Sequence, residues 1–144
     1  AGVPVPMTAL LRWYQDASAD AEFAIVEGAG GWRVPLHPDG FLSDLPEQLG
    51  LGVVLVVGLR LGCLNHARLT LEAIERSGRC RFVGWIGCQV DPDFARLAAN
   101  LDTLTRLLGQ PALAVVPHVA GPEPVRTASY LATPALSRAL ALPA

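Results

Sequence analysis

Two kinds of hydrophobic pattern alternate along the chain. Short, nearly unbroken apolar runs occur at 23–26, 53–57, 81–90 and 113–116, as expected for strands buried on both faces. The stretches between them place apolar residues every three or four positions, which is typical of amphipathic helices. Strand and helix alternate four times at spacings too long for hairpins. The pattern therefore predicts right-handed crossovers and a parallel sheet with helices on both faces.

Capping signals set the expected ends of the helices. A first helix is predicted at 7–18, after two prolines, and Ser43 is expected to cap a short helix that ends near 49. The strand at 53–57 is the most β-branched of the four, and we expect it to be central in the sheet.

Three further helices follow along the chain. Asn65 is predicted to be the N-cap of a helix that ends near 77. Asp91 and Pro92 predict the start of a helix that continues to about 108, with the acid as cap and proline at the first helical position. A last helix is predicted to begin near Thr133.

Composition narrows the class of protein. The chain has 144 residues, 51% of them hydrophobic, and a net charge of −2, so it is long enough for one sizeable core. It has neither a long apolar segment nor a signal-like start. We expect a soluble cytoplasmic protein without nucleic acid or membrane as partner. The three scattered cysteines predict neither disulfides nor a zinc site.

An acidic glycine turn is the first candidate for chemistry. Glu27 directly follows the run at 23–26, and Gly28, Gly30 and Gly31 come next. In open α/β sheets ligands bind outside the carboxyl ends of the strands, where a carboxylate suits a metal ion or phosphate-bound Mg²⁺. Glycines after strands are also common in ordinary turns, so the motif alone leaves both interpretations open.

A second candidate follows the strand at 53–57. Gly62 and Asn65 lie at the predicted start of a helix, where free amides and the helix dipole favour anions. A capped helix without a ligand explains the same residues equally well. Cys63 has no evident base to activate it and is interpreted as a packing residue.

Three stretches of the sequence, at 26–36, 54–66 and 83–86, resemble dethiobiotin synthetase in order and spacing. The match runs from about 7 to 130. It implies a P-loop NTPase-like α/β fold that is incomplete at its N-terminus, and a single partial domain, 1–144, corresponding to the C-terminal two-thirds of such an enzyme. The activity implied is ATP-dependent closure of the ureido ring of dethiobiotin from 7,8-diaminononanoate and CO₂, by a homodimer with Mg²⁺.

The resemblance also assigns residues to sites. Glu27 matches the metal-binding acid, and no catalytic residue falls in this portion. Positions that match the ATP site are Glu27, Gly28, Ala29, Gly30, Cys88, Gln89, Pro117, His118, Val119 and Glu123. In the family's homodimer, a helix N-terminus of one subunit binds the carboxylate of substrate held by the other subunit. The positions that match this helix N-terminus are Gly62, Cys63 and Asn65.

Two departures from the family pattern leave alternatives open. All eleven basic residues are arginines, so the phosphate-binding lysine of the P-loop has no counterpart, and we expect the chain alone to be inactive. Cys88 stands where the family usually carries an asparagine that recognises adenine. The alternatives are a non-catalytic dimerising or ligand-binding module and another P-loop ATP-dependent enzyme such as a cobyrinate amidase.

Overall fold

A computed structural model of the chain describes residues 5–37, 40–121 and 123–141. The chain forms two compact units, residues 1–51 and 52–144. The first contains helices α1 (Met7–Ser18) and α2 (Asp44–Leu49) and the antiparallel strands β1 (Pro35–His37) and β2 (Gly40–Phe41). The second contains strands β3 (Gly52–Gly58), β4 (Arg81–Cys88) and β5 (Ala114–Val116), and helices α3 (Cys63–Ser77), α4 (Leu97–Leu108), α5 (Pro124–Leu131) and α6 (Pro134–Ala139).

The second unit is built on a parallel sheet with strand order β3-β4-β5. Its strands alternate their side chains between two apolar clusters, as the two-residue period of a strand requires. Leu55, Val57 and Trp85 belong to the cluster that includes α3 and α4. Val54 and Ile86 belong to the cluster that includes α5 and α6. The predicted α/β sheet with helices on both faces is therefore confirmed.

Trp85 belongs to the apolar cluster on the α3 and α4 side and is fully buried. Its indole Nε1 donates a hydrogen bond of 2.9 Å to the carbonyl oxygen of Gln110, and its own carbonyl accepts one of 2.8 Å from the amide of Leu113. These bonds join the middle strand to the segment between α4 and β5. The buried indole thereby satisfies its one polar group, as a core tryptophan must.

The prediction of a buried strand at 23–26 is wrong for this structure. The described residues include no strand there, and Phe23, Ile25 and Val26 are 46%, 80% and 41% exposed. A strand is stable only when a neighbour pairs with its backbone, and no strand of the described chain does so. Strand and helix consequently alternate over three strands rather than four.

The prediction that residues 53–57 form a central strand is also wrong. In the described chain β3 lies at one end of the sheet and β4 is the middle strand. Val56 on β3 is 61% exposed. An apolar β-branched run indicates a strand but does not give its place in the sheet, because that depends on which other strands pair with it.

Three capping predictions also need correction. Ser43 is at the N-cap position of α2 but makes no capping hydrogen bond with its side chain. Gly62 rather than Asn65 occupies the N-cap of α3, so Asn65 lies within the first turn. Helix α4 begins at Leu97 rather than at Pro92, and Arg96, with φ of 57°, is its N-cap. Ser43 has helical backbone angles, and Gly62 and Arg96 have left-handed ones, so none of these helix starts has the extended N-cap conformation from which a side chain caps a helix.

No helix in the ranges 5–37, 40–121 and 123–141 has both the length and the apolar character needed to cross a bilayer.

Candidate functional site

The carboxyl edge of the sheet carries one straight row of residues. Cys88, the last residue of β4, pairs with Gly58 of β3 on one side and with Val116 of β5 on the other. Because the three strands are parallel, the loops that follow them all leave from this edge. The segments predicted to bind substrate and nucleotide are these same loops within the second unit.

Backbone hydrogen bonds continue one residue beyond the row. The amide of Leu59 donates to the carbonyl oxygen of Cys88 at 2.7 Å, and the amide of Gln89 donates to that of Val116 at 2.9 Å. The three loops are therefore linked to one another where they begin. A rigid base of this kind is the usual support for loops that bind ligands.

The loop after β3 leads into the N-terminus of α3. Gly62 caps this helix with φ of 91°, a conformation that glycine adopts without strain. The side chain of Cys63 is buried, and its amide already donates to the carbonyl of Arg60 at 3.0 Å. Asn65 is exposed. Of the three predicted substrate residues, Gly62 and Asn65 thus face solvent, whereas Cys63 packs in the core as predicted.

His66 was not predicted and lies against the same helix end. A methyl group placed on Gly62 would be 3.7 Å from the Cε1 atom of the His66 ring. The imidazole is exposed and lies beside the glycine that begins the helix. Its position four residues after Gly62, on the same side of the first turn, was the sequence signal for this contact.

Cys88, the middle residue of the row, has its side chain in an apolar environment. Its half-buried side chain packs against the cluster that contains Ile86, Val116 and Leu136. Burial raises the pKa of the Cys88 thiol above its ordinary value, because an apolar environment disfavours the charged thiolate. The side chain is therefore a neutral thiol near pH 7, with a weak donor and a weaker acceptor.

The loop after β5 carries Pro117, His118 and Val119, of which His118 is exposed. Glu123 precedes α5 and forms an ion pair of 3.7 Å with Arg126, on side chains that are half exposed. A hydrogen bond with Tyr130 raises the pKa of Arg126. An open groove of about 560 Å³ runs along this helix and is lined by Glu123, Pro124, Val125, Arg126 and Ser129.

Helix α5 itself was not predicted. It begins at Pro124, directly after Glu123, and proline at a first helical position is a recognised start signal. Because the preceding loop also contains prolines, the sequence pattern assigns this proline to the loop. The consequence is that Glu123 lies at a helix end, one turn from Arg126, rather than within an open loop.

The acidic glycine turn, residues 27–31, belongs to the first unit. Gly30 and Gly31 have φ of 86° and 119°, so both need glycine to avoid strain. A methyl group on Gly28 would lie 2.6 Å from Cδ2 of Leu42. Glu27 and Ala29 are exposed. The glycines are thus explained by the fold of this turn, and the carboxylate of Glu27 reaches solvent.

Within the described ranges, no three His, Cys, Asp or Glu side chains are grouped so that they could hold a metal ion.

The fold and the carboxyl edge define an α/β domain like those of P-loop nucleotide-binding proteins. Residues 4–126 match a family model described as an AAA domain, and because the match covers most of the chain, the chain belongs to that family.

Curated relatives show which enzymes within this family the chain is similar to. The ATP-dependent dethiobiotin synthetase BioD of Aromatoleum aromaticum is 44% identical over 133 residues, which are 92% of this chain and 59% of the relative. BioD of Pseudomonas paraeruginosa is 52% identical over 77% of this chain and 48% of its own length. BioD of Yersinia pestis is 39% identical over 88% and 53%. The resemblance to dethiobiotin synthetases is confirmed, and the chain spans about half the length of these relatives.

Proposed function

We propose that this chain forms part of an enzyme that closes the ureido ring of dethiobiotin from 7,8-diaminononanoate, CO₂ and ATP. The observation that carries the proposal is the row Gly58, Cys88 and Val116 at the carboxyl edge of the sheet. Each of the three loops that follow this row contains residues that match the family's ligand-binding positions. In this proposal the enzyme is a cytoplasmic homodimer.

The proposed nucleotide-binding part of the site comprises the ends of β4 and β5 and the loop that follows β5. We assign Cys88, Gln89, Pro117, His118, Val119 and Glu123 to the adenosine end of ATP. The proximity of Cys88 to Val116 supports this assignment, since it brings the two segments to neighbouring strand ends. Glycines Gly28 and Gly30, with Ala29, are assigned to the phosphates, for which a turn without bulky side chains gives close backbone approach.

The substrate side is the N-terminus of α3. Among the described residues, no backbone acceptor meets the amides of Leu64 and Asn65, as is usual in the first turn of a helix. Free amides and the helix dipole favour a carboxylate at this end. We assign Gly62, Cys63 and Asn65 to the carboxylate of the diamine, delivered by the partner subunit of the dimer. The thiol of Cys63 is buried and its amide already donates to the carbonyl of Arg60, so Cys63 contributes by fixing the helix end at which the amides of Leu64 and Asn65 are free.

Glu27 is the proposed Mg²⁺ ligand. Its carboxylate is exposed, and nothing in the described part of the chain forms a hydrogen bond or ion pair with it. Mg²⁺ is usually held in enzymes by one or two carboxylates together with phosphate oxygens and water, so a single exposed acid fits this role. When bound, the ion would neutralise charge on the phosphates of ATP.

The chain's own contribution is to bind and orient. Phosphoryl transfer depends mainly on positioning and charge neutralisation, and linked strand ends provide a fixed base for both ligands. A carboxylate held at α3 would fix one end of the diamine, so that its amines reach a constant position.

The test is to join the 144 residues to the N-terminal remainder of the Aromatoleum relative. We expect the fused protein to release phosphate in a diaminononanoate-dependent reaction and to restore growth without biotin in a strain lacking dethiobiotin synthetase. The 144 residues alone should release none, because their sequence has neither a P-loop motif nor a lysine.

Glu27→Gln in the fused protein should lower Mg²⁺-dependent turnover far more than it lowers thermal stability. Glu22→Gln is the matched control, because Glu22 is an exposed acid five residues upstream. An inactive fusion that still binds ATP and dimerises would favour the non-catalytic module instead. Equal losses of stability and turnover in Glu27→Gln would indicate a structural acid.

A further inference from the structure

The side chain of Gln89 folds back onto the chain that follows it. Its amide nitrogen Nε2 donates to the carbonyl oxygen of Asp91 at 3.3 Å and to that of Pro92 at 3.2 Å. A glutamine amide carries two N–H donors, so these two bonds use its full donor capacity. Gln89 lies one residue beyond the row at the carboxyl edge.

The carbonyls that Gln89 binds belong to a tight turn. The amide of Asp93 donates to Oδ1 of Asp91 at 3.0 Å, and the amide of Phe94 donates to the carbonyl oxygen of Asp91 at 3.3 Å. The ring of Phe94 packs against the core cluster on the α3 and α4 side. The turn at 91–94 is therefore held by Asp91 from within, by Phe94 from the core and by Gln89 from the strand end.

The backbone of Gln89 is fixed as well. Its amide donates to Val116, and the residue before it accepts from Leu59. A side chain on so constrained a backbone has little freedom to turn toward a ligand while it keeps its two bonds. Recognition of a base edge by an amide needs a donor and an acceptor together, and both donors of Gln89 are occupied.

We propose that Gln89 is a positioning residue, whose amide clamps the turn at 91–94 to the carboxyl edge of the sheet and does not recognise the base of the nucleotide. This clamp is inferred from the pair of hydrogen bonds that Gln89 donates, and it does not depend on the proposed function. Its consequence for ATP rests on the function proposed above, which assigns Gln89 to the adenosine end of ATP; with the side chain held by the turn, that contact is made by the backbone of Gln89. The clamped turn then keeps the strand end fixed for whichever nucleotide binds there.

Two substitutions separate the clamp from base recognition. Gln89→Glu keeps the shape but has no N–H donor, and places a carboxylate against two carbonyl oxygens. Gln89→Lys loses the amide but keeps N–H donors on a long side chain. If Gln89 recognises adenine, both variants lose that recognition. If it holds the turn, only the glutamate variant fails.

The first measurement is amide hydrogen exchange in the 144-residue chain. Loss of the clamp should speed exchange at Asp93 and Phe94 by roughly three- to tenfold in Gln89→Glu, the range expected for one or two hydrogen bonds. Gln89→Lys should stay within about twofold of the unmodified chain. Amides within β4 are the internal control and should not change. Unchanged exchange at Asp93 and Phe94 in Gln89→Glu would overturn the proposal.

The second measurement uses the fused enzyme and compares KM and kcat for ATP, GTP and CTP. Gln89→Glu should raise all three KM values by a common factor and leave kcat and the ratios between nucleotides unchanged. Gln89→Lys should raise the three KM values by a smaller common factor, because it keeps N–H donors toward the two carbonyl oxygens. A change in the nucleotide ratios in both variants would overturn the proposal. If the fused enzyme is inactive, the proposed function fails, and the exchange experiment still decides the clamp.

Discussion

The hydroxyl of Thr133 donates a hydrogen bond of 2.6 Å to the carbonyl oxygen of Leu113, twenty residues earlier in the chain. The Thr133 hydroxyl oxygen in turn accepts a bond of 3.1 Å from the amide of Leu136 and so caps α6. One side chain thus joins the start of the last helix to the entrance of β5. Since Leu113 and Leu136 are both buried, the bonds lie next to the core.

Thr133→Ala should lower the free energy of unfolding by about 1–3 kcal/mol, because it removes a helix cap and leaves a carbonyl without its partner. Thr133→Ser keeps the hydroxyl and should cost less than half as much. Chemical denaturation of the chain, followed by tryptophan fluorescence, measures both. Equal losses in the two variants would assign the effect to the threonine methyl group instead.

The exposed segment at 23–26 gives a prediction about polar substitution. Ile25 is 80% exposed and Ile74, on α3, is fully buried. Ile25→Asn should change the free energy of unfolding by less than about 0.5 kcal/mol. Ile74→Asn should cost roughly 3–5 kcal/mol, because it loses core packing and buries an amide. The measurement is urea denaturation of both variants. A comparable loss in Ile25→Asn would show that residue 25 lies in a buried strand after all.

The contrast between these two isoleucines shows what the sequence can predict. The apolar runs, the helical spacing and their alternation predicted β3, β4, β5, α1 and the parallel arrangement, since those elements are stabilised by neighbours within the same chain. The run at 23–26 has the same composition as a strand. Its burial depends on a pairing partner, and composition carries no information about that partner.

The predicted start of α4 was wrong for a related reason. Asp91 and Pro92 form a sound local cap signal, yet the structure places them in a turn held by Gln89. A side chain two residues upstream competes for the same carbonyls, and a local pattern cannot weigh that competition. The candidate site was also predicted only in part. The packing of Cys63 in the core was predictable, but the contact of His66 with Gly62 was not, because it depends on α3 beginning at Gly62 rather than at Asn65.

The half-buried thiol of Cys88 predicts a pH dependence. Burial raises its pKa in the folded chain, whereas in the unfolded chain a cysteine ionises near about 8.5. The stabilisation of the folded state associated with the neutral thiol is therefore fully present below that pH. It is lost as the pH rises through the higher value of the folded chain.

Two measurements check this. Alkylation of Cys88 by iodoacetamide, followed by peptide mass spectrometry, should show its inflection at higher pH in the folded chain than in urea. The stability advantage of the unmodified chain over Cys88→Ser should also shrink between pH 7 and pH values above about 8.5. Identical alkylation profiles in folded and unfolded chains would contradict the burial of the thiol.

Cys88 also predicts how selective the proposed enzyme is among nucleotides. Discrimination between bases arises when buried polar groups match one base and remain unpaired with another. The thiol lies in an apolar cluster and is a weak donor and acceptor, so it cannot penalise guanine or cytosine in this way. The amide of Gln89 is occupied by the turn at 91–94 and cannot replace it. We expect kcat/KM for GTP and CTP in the fused enzyme to lie within about tenfold of ATP, since losing one hydrogen-bonded contact removes roughly 1–3 kcal/mol of selectivity.

Cys88→Asn should sharpen the preference for ATP, because an amide offers the paired donor and acceptor that adenine requires. Cys88→Val, which adds no polar group, is the control and should leave the preference unchanged. The measurement is kcat/KM for the three nucleotides in all three proteins. Strong ATP selectivity with Cys88 in place, unaffected by either substitution, would mean that adenine is recognised elsewhere. The loop that carries Pro117, His118 and Val119 would then be the next segment to substitute, because it leaves the neighbouring strand end beside Cys88.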